Sequence, residues 1–318
     1  MPQLRSERLN VDATSYYHLM SRCVRRAFLC GNDPHTGKDF GYRREWIEHR
    51  IFELASIFAV DLHAYAVMSN HLHIVVRVDK DRAEAWSDSE VIRRYGKLFG
   101  RKPSEIASLP ARERKSRISI WRERLWNLSW MMRCLNESIA RRANAEDECT
   151  GRFWEGRFRC QPLLDETAVL TCMAYVDLNP VRAGLVKSLR ASKHTSIAKR
   201  IKQAEATGDA PAGLVPFADQ TPARSRRTTA PMHYDDYLEL LTWTGRNVRA
   251  QSARGSVPEL LVSLGIDPGA FLALLQRPGL QSATLLGRLD ALESFVRETG
   301  KQWAWGKRIA KALSTTSG

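Results

Sequence analysis

The sequence has no long hydrophobic run, no CxxC pair and fewer acidic than basic residues. No apolar segment approaches the roughly 18–20 residues that span a bilayer, and residues 1–5 carry no apolar signal region. Both observations argue against a membrane or secreted protein and predict a cytoplasmic one. We therefore expect reduced thiols instead of a disulfide framework at the six cysteines, which are Cys23, Cys30, Cys134, Cys149, Cys160 and Cys172.

The excess of positive charge predicts an anionic partner, either nucleic acid or an anionic surface. The 318 residues include 49 Lys and Arg against 35 Asp and Glu, a formal net charge of +14. Residues 91–160 hold 17 of the basic and 8 of the acidic residues, interleaved with tryptophan and phenylalanine. Such a stretch can bind single-stranded nucleic acid through phosphates and stacked bases. A solvated basic face with its aromatic side chains in the core is the alternative, and composition leaves both open.

The chain is long enough for one large domain or two, and 43% hydrophobic residues with 26% charged residues are typical of a globular protein. Residues 203–231 are rich in Gly, Pro, Ala, Thr and Arg and contain few large apolar residues, which is typical of a linker. We therefore predict a first domain over 1–205, with a basic helical insertion around 80–128. A linker over 206–231 and a helical C-terminal domain over 232–318, of unknown role, complete the prediction.

Hydrophobic periodicity predicts mixed α and β structure in the first 200 residues. Strand-like runs cover 16–21, 61–68 and 71–78, and a helical repeat covers 42–60, so the order begins β-α-β-β. Further on, the pattern predicts a helix over 130–144, a strand over 157–164 and a helix over 165–178. Pro180 ends this last helix because proline disfavours the helical conformation of the residue before it.

Two residue pairs could carry chemistry. His71 and His73 are two apart in a predicted strand, so their imidazoles point to one face and could bind one cation. Tyr175 and Asn179 are four apart at the end of a predicted helix and project from one side of it. Taken singly, each pair is more typical of surface or packing residues than of a functional site. His63, on the neighbouring strand, is a weaker candidate because its direction is not set by the sequence.

Read together, these pairs occur within a set of motifs that resembles the single-tyrosine HUH transposases, above all the REP-associated tyrosine transposases and their insertion-sequence relatives. The motifs are YHLMSR over 17–22, MSNHLH over 68–73, GRFWEGRF over 151–158 and YVDLNPVRAG over 175–184. The resemblance covers roughly residues 10–200. It implies an α+β, ferredoxin-like fold, in which helices pack on one face of an antiparallel sheet. In this chain the mostly helical C-terminal extension would be added to that fold.

The resemblance also implies a function. His71, His73 and Asn179 would hold Mg²⁺ or Mn²⁺, and the Tyr175 hydroxyl would cleave single-stranded DNA next to hairpin-forming palindromic repeats, leaving a 5′-phosphotyrosine. The partner would be this DNA, with no membrane and no small-molecule substrate, and the protein would act as a monomer or homodimer. The implied phosphate contacts are Arg141, Arg142, Arg152, Arg157 and Arg159. A catalytically inactive DNA-hairpin-binding regulator is the alternative function.

Overall fold

The computed structural model confirms the α+β class, with a four-stranded antiparallel sheet and packed helices. It describes residues 10–24, 30–33, 37–100, 106, 108–221, 228–250, 254–276, 280, 284–300 and 307–314. The elements are β1 (Tyr16–Arg22), α1 (Arg43–Ile57), β2 (Val60–Val67), β3 (His71–Val78), α2 (Lys80–Glu84), α3 (Asp88–Phe99), α4 (Ala111–Arg124), α5 (Leu128–Glu146), β4 (Arg159–Leu163), α6 (Glu166–Asp177), α7 (Asn179–Arg182), α8 (Ser196–Thr207), a 3-10 helix (Ala218–Gln220), α9 (Tyr234–Ala250), α10 (Glu259–Ser263), α11 (Pro268–Gln276), α12 (Leu289–Thr299) and α13 (Lys307–Leu313).

The strands lie in the order β2-β3-β1-β4, and every neighbouring pair is antiparallel. β2 and β3 form the hairpin that the sequence predicts, closed by a hydrogen bond from Met68 N–H to the His71 carbonyl at 2.8 Å. β1, the first strand in the chain, is central and pairs with β3 on one side and β4 on the other. Residues that are far apart in sequence therefore meet across β1.

One face of the sheet is covered by α1 and α5. Leu72 and Ile74 of β3 point to this face and are fully buried in a cluster with Ile47 and Ile51 of α1 and Leu135 of α5. Side chains alternate between faces along a strand, so the residues between these two point to the opposite side. His73 is one of them, which places the histidine pair on the second face.

The second face is covered by α6 and by the C-terminal helices. Residues 167–177 of α6 are all buried, because the sheet lies on one side of the helix and α9 and α11 lie on the other. Asp165 begins the helix by accepting a hydrogen bond from Ala168 N–H at 2.7 Å. Buried side chains from before and after residue 205 thus share one cluster, while the domain boundary near 205 stays a prediction.

No helix within the described ranges is long and apolar enough to cross a membrane. All six cysteines fall within those ranges, and none of them is joined in a disulfide. Five are buried, and burial raises the pKa of the Cys30 thiol to about 12. The thiols therefore belong to the packed interior, as expected for reduced cysteines.

A buried carboxylate joins α6 to the helices that follow it. Asp177, at the end of α6, is fully buried and accepts hydrogen bonds from the Ser196 hydroxyl, from Ile197 N–H at 2.9 Å and from the Tyr237 hydroxyl at 2.8 Å. Burial raises the pKa of Asp177, and these donors oppose the rise. One side chain thereby fixes the ends of α6, α8 and α9 relative to each other.

We expect Asp177→Ala to lower the free energy of unfolding by about 2–3 kcal/mol, because it leaves three buried donors without their acceptor. Urea denaturation followed by circular dichroism measures this change. Asp209→Ala is the matched control: Asp209 is exposed in a loop, and its removal should change stability by no more than about 0.5 kcal/mol. Equal urea midpoints of unfolding for Asp177→Ala and Asp209→Ala would contradict the stabilising role of the Asp177 hydrogen bonds.

Candidate active site

His71 and His73 lie at the start of β3 on the face that α6 covers. Their ring centroids are 4.9 Å apart, with the rings perpendicular to each other. His73 is 1% exposed and pairs with Met20 of β1, while His71 is partly buried at the edge of a surface cavity. The two-residue spacing therefore places both rings side by side, as the sequence predicts.

Both imidazoles are neutral at physiological pH. Burial, followed by the charge of Arg22, lowers the pKa of His71 to about 4, against a smaller rise from the neighbouring Asn179 side chain. Burial also holds the pKa of His73 well below its usual range, and His18, His71 and Arg182 lower it further. A neutral imidazole offers one nitrogen lone pair, which is the form that binds a metal ion.

The donor atoms present fit a divalent cation. His71 Nδ1 lies 2.6 Å from Asn70 Oδ1, and since an amide oxygen only accepts, Nδ1 carries the proton and Nε2 carries the lone pair. The Nε2 atoms of His71 and His73 and the Asn179 amide nitrogen are buried, with no hydrogen-bond partner among the described residues. Buried polar atoms without partners are costly, and a cation bound by the two imidazole lone pairs would remove that cost at the histidines, with the amide oxygen of Asn179 as a third ligand.

α6 brings Tyr175 to the histidine pair. The Tyr175 ring centroid is 5.7 Å from that of His73 and 6.3 Å from that of His18. Asn179 follows one helical turn later at the start of α7, where its side chain interacts with His71. The Arg182 guanidinium lies 4.2 Å from the centre of the Tyr175 ring and brings a positive charge to the phenol. The four predicted site residues, two from β3 and two from the α6–α7 segment, therefore come together.

A cavity of about 570 Å³ opens beside the histidines. Its walls are mostly polar and charged, and they are formed by Met20, Ser21, Arg22, Asn70, His71, His73, Glu155, Gly156, Arg157 and Arg159. Arg22 and Glu155 form an ion pair at 3.5 Å, which leaves Arg157 and Arg159 as the excess positive charge. Tyr175 and Asn179 are 2% and 6% exposed and do not line the cavity; they approach the histidines from α6 and α7.

The five predicted phosphate contacts separate into two groups. Arg157 and Arg159 are exposed in the wall of the cavity. Arg141, Arg142 and Arg152 are exposed elsewhere: Arg141 forms an ion pair with Glu137, and the Arg142 guanidinium lies 3.6 Å from the centre of the Trp46 ring. Only the first two stand beside the histidine pair.

The fold brings to the site several residues for which the sequence patterns predict no role. His18 of β1 is fully buried beside His73 of β3, and Gln161 of β4 contacts His18 from the other side. Arg22 and Arg182 place charge at the cavity and over Tyr175. His18, Arg22 and Arg182 lie within the motifs quoted above, but their roles depend on strand register and on how the helix packs.

Within the described part of the chain, no group of three or more His, Cys, Asp or Glu side chains is arranged to hold a metal ion; the candidate site combines two histidines with an amide. No protein-family model matches the chain, and no curated protein matches it. Among solved structures it is similar to a REP-associated tyrosine transposase bound to a REP hairpin, with a TM-score of 0.36 and 13% identity over 66% of this chain and 93% of that one. This likeness is a distant one of fold, and it identifies neither an activity nor a substrate for this chain.

His63 lies apart from this arrangement. Its ring is fully buried against Tyr16, with ring centroids 5.3 Å apart, and neither of its nitrogens has a hydrogen-bond partner among the described residues. Burial lowers its pKa to about 3, and Arg200 and Arg77 lower it further while Asp61 opposes them. Its charge state consequently affects stability.

We expect acid to destabilise the fold through His63. The unfolded chain takes up a proton near pH 6.5 and the folded ring only near pH 3, so the stability that neutral His63 confers is lost as pH falls below 6.5. Between pH 7 and pH 4 the wild type should lose about 3 kcal/mol more than His63→Phe, which cannot titrate. Urea unfolding at a series of pH values gives the free energy of unfolding of both proteins as a function of pH. Parallel curves for wild type and His63→Phe would show that His63 is not the source of the acid sensitivity.

Proposed function

We propose that the protein is a metal-dependent single-stranded DNA endonuclease and strand transferase, a transposase-type enzyme that cleaves next to hairpin-forming repeats through a 5′-phosphotyrosine. The observation that carries the proposal is the meeting of Tyr175 with His73, at 5.7 Å between ring centroids, beside unpartnered Nε2 atoms of two neutral histidines. A DNA-binding regulator requires neither a buried tyrosine at this position nor bare imidazole nitrogens.

His71, His73 and Asn179 would hold the divalent cation. Two nitrogens and one oxygen suit Mn²⁺ at least as well as Mg²⁺, which prefers oxygen ligands. When bound, the ion supplies polarisation and orientation of the scissile phosphoryl oxygen. The histidines do not have to release a proton in order to bind it near pH 7, because burial already keeps them neutral.

Tyr175 would carry the covalent step. Its hydroxyl oxygen attacks the phosphorus and loses its proton, the bond to the 3′-oxygen breaks, and that oxygen takes up a proton to become a free 3′-hydroxyl. The 3′-hydroxyl of another strand reverses the step and releases Tyr175, so strands are joined without ATP. Arg182, 4.2 Å from the ring centre, would stabilise the negative charge that develops at the phenol and the phosphate. Since Tyr175 is 2% exposed, DNA must displace the side chains over it before attack.

Arg157 and Arg159 would guide the strand to the histidine pair. Both line the cavity beside His71 and His73 and are exposed to solvent. Phosphate contacts by such side chains provide affinity and orientation without sequence preference. Arg22 would join them once a phosphate competes with Glu155 for its guanidinium.

We expect Tyr175→Phe to abolish the covalent protein–DNA adduct, because the variant has no oxygen with which to attack the phosphate. The assay incubates the protein and labelled single-stranded DNA from the flanks of its own gene with Mn²⁺ or Mg²⁺ and separates adducts on a denaturing gel.

His71→Ala should also remove cleavage, while leaving hairpin binding largely intact in a gel-shift assay.

Tyr17→Phe is the matched control for this experiment. Tyr17 is a fully buried tyrosine that points to the other face of the sheet, and its hydroxyl has no hydrogen-bond partner among the described residues. The variant should form the adduct at the wild-type level. Equal adduct formation by wild type and Tyr175→Phe would rule out Tyr175 as the nucleophile. Hairpin binding with no adduct in any divalent metal would favour the inactive regulator.

We expect Arg157→Ala and Arg159→Ala each to weaken single-stranded DNA binding and to reduce the slope of log affinity against log salt by about 0.7, the value for one phosphate contact. Fluorescence anisotropy at several salt concentrations measures the slope. Arg141→Ala is the control, since Arg141 pairs with Glu137 away from the cavity, and its slope should stay at the wild-type value. A larger loss in Arg141→Ala than in the other two would show that the strand binds on another surface.

A further inference from the structure

Four groups form a continuous hydrogen-bonded row: the side chains of His73, His18 and Gln161 and the backbone carbonyl of Leu280. His18 Nε2 lies 2.9 Å from His73 Nδ1, and His18 Nδ1 lies 3.1 Å from Gln161 Oε1. Gln161 Nε2 in turn donates to the Leu280 carbonyl oxygen at 3.0 Å. The row crosses the sheet from β3 through the central strand β1 to β4 and ends on the backbone of the C-terminal region. His18, His73 and Gln161 are each no more than 1% exposed.

The last member of the row decides where every proton lies. A backbone carbonyl only accepts, so the amide nitrogen of Gln161 faces Leu280 and its amide oxygen faces His18. This oxygen also only accepts, so the proton of His18 is on Nδ1. A neutral imidazole has one ring proton, hence His18 Nε2 must accept, and the donor is His73 Nδ1–H. His73 Nε2 is then left with its lone pair.

We infer that His18 and Gln161 are positioning residues, which hold His73 in the tautomer that binds the metal ion through Nε2, and that the Leu280 carbonyl orients them. The inference rests on the proposed metal site. It assigns the C-terminal region a contribution to that site, because one of its backbone carbonyls sets the direction of the row.

Loss of the Gln161 amide would reverse the direction of the hydrogen bond between His18 and His73. Without the acceptor Gln161 Oε1, the tautomer of His18 with its proton on Nδ1 is no longer favoured. The proton then lies on Nε2, and His18 Nε2–H donates to His73 Nδ1. The single proton of His73 then moves to Nε2, the atom that would bind the metal. Removal of hydrogen-bond partners behind a metal-binding histidine lowers metal affinity by about 10–100-fold, and we expect a loss in this range.

The test measures Mn²⁺ affinity of the full-length chain by electron paramagnetic resonance, without DNA. Gln161→Met and His18→Phe keep side-chain bulk while breaking the row at different points, and each should weaken Mn²⁺ binding by about 10–100-fold. The double variant should bind no more weakly than His18→Phe alone, because Gln161 acts only through His18. Additive losses, or wild-type affinity in folded Gln161→Met, would overturn the inference.

Thr244→Val is the control for a general effect of removing a buried polar group. Thr244 is fully buried, and its hydroxyl donates to the Leu240 carbonyl of its own helix at 2.6 Å. This variant should keep wild-type Mn²⁺ affinity. Thermal melts of all variants establish that each is folded at the temperature of the titration.

A second measurement reads the tautomers directly in the metal-free protein. Two-bond proton–nitrogen correlation spectra of the histidine-labelled chain should show His73 and His18 protonated at Nδ1 in the wild type and His73 protonated at Nε2 in Gln161→Met. Protonation of wild-type His73 at Nε2 would refute the row even if the metal binds. A wild type with the expected tautomers but no affinity for Mn²⁺ would instead refute the proposed metal site and, with it, the positioning role.

Discussion

The burial of α6 on all sides is the constraint on which the site depends. The helix lies between the sheet and the C-terminal helices, so its apolar residues are oriented by two surfaces at once. Asp177 fixes its end through donors on α8 and α9. With rotation and translation of the helix both set, Tyr175 faces His73 and Asn179 reaches His71. The arrangement of these four residues therefore depends on packing that extends well beyond them.

Burial also separates the charges of the site into two zones. The histidines are neutral because the sheet and α6 exclude water from them, whereas the positive charges stand at the cavity rim or over the tyrosine ring. The neutral zone suits binding of a cation and the charged zone suits binding of a phosphate. Because the zones adjoin at His71, a phosphate held by Arg157 or Arg159 would lie next to the histidine pair.

Local patterns predicted the four strands, the helices α1, α5 and α6, and the two residue pairs, but no element for the segment that contains most of α8. The two-residue period of β3 placed His71 and His73 on one face, and the four-residue spacing of Tyr175 and Asn179 placed both on one side of the α6–α7 segment. His18 and Gln161 could not be found in this way, because their contacts depend on the register of β1 against strands 55 and 143 residues away. Arg141 and Arg142 carry the predicted charge, but the direction of α5 places them away from the cavity.

The proposed function requires Tyr175 to become covalently bonded to DNA. The most direct test is mass spectrometry of the protease-digested adduct formed between the full-length protein and single-stranded DNA in Mn²⁺. If Tyr175 is the nucleophile, the digest contains a nucleotide 5′-phosphate linked to the peptide that contains Tyr175, and the released DNA fragment ends in a 3′-hydroxyl. A phosphate linked to any other residue, or a fragment ending in a 3′-phosphate, would exclude Tyr175 as the nucleophile.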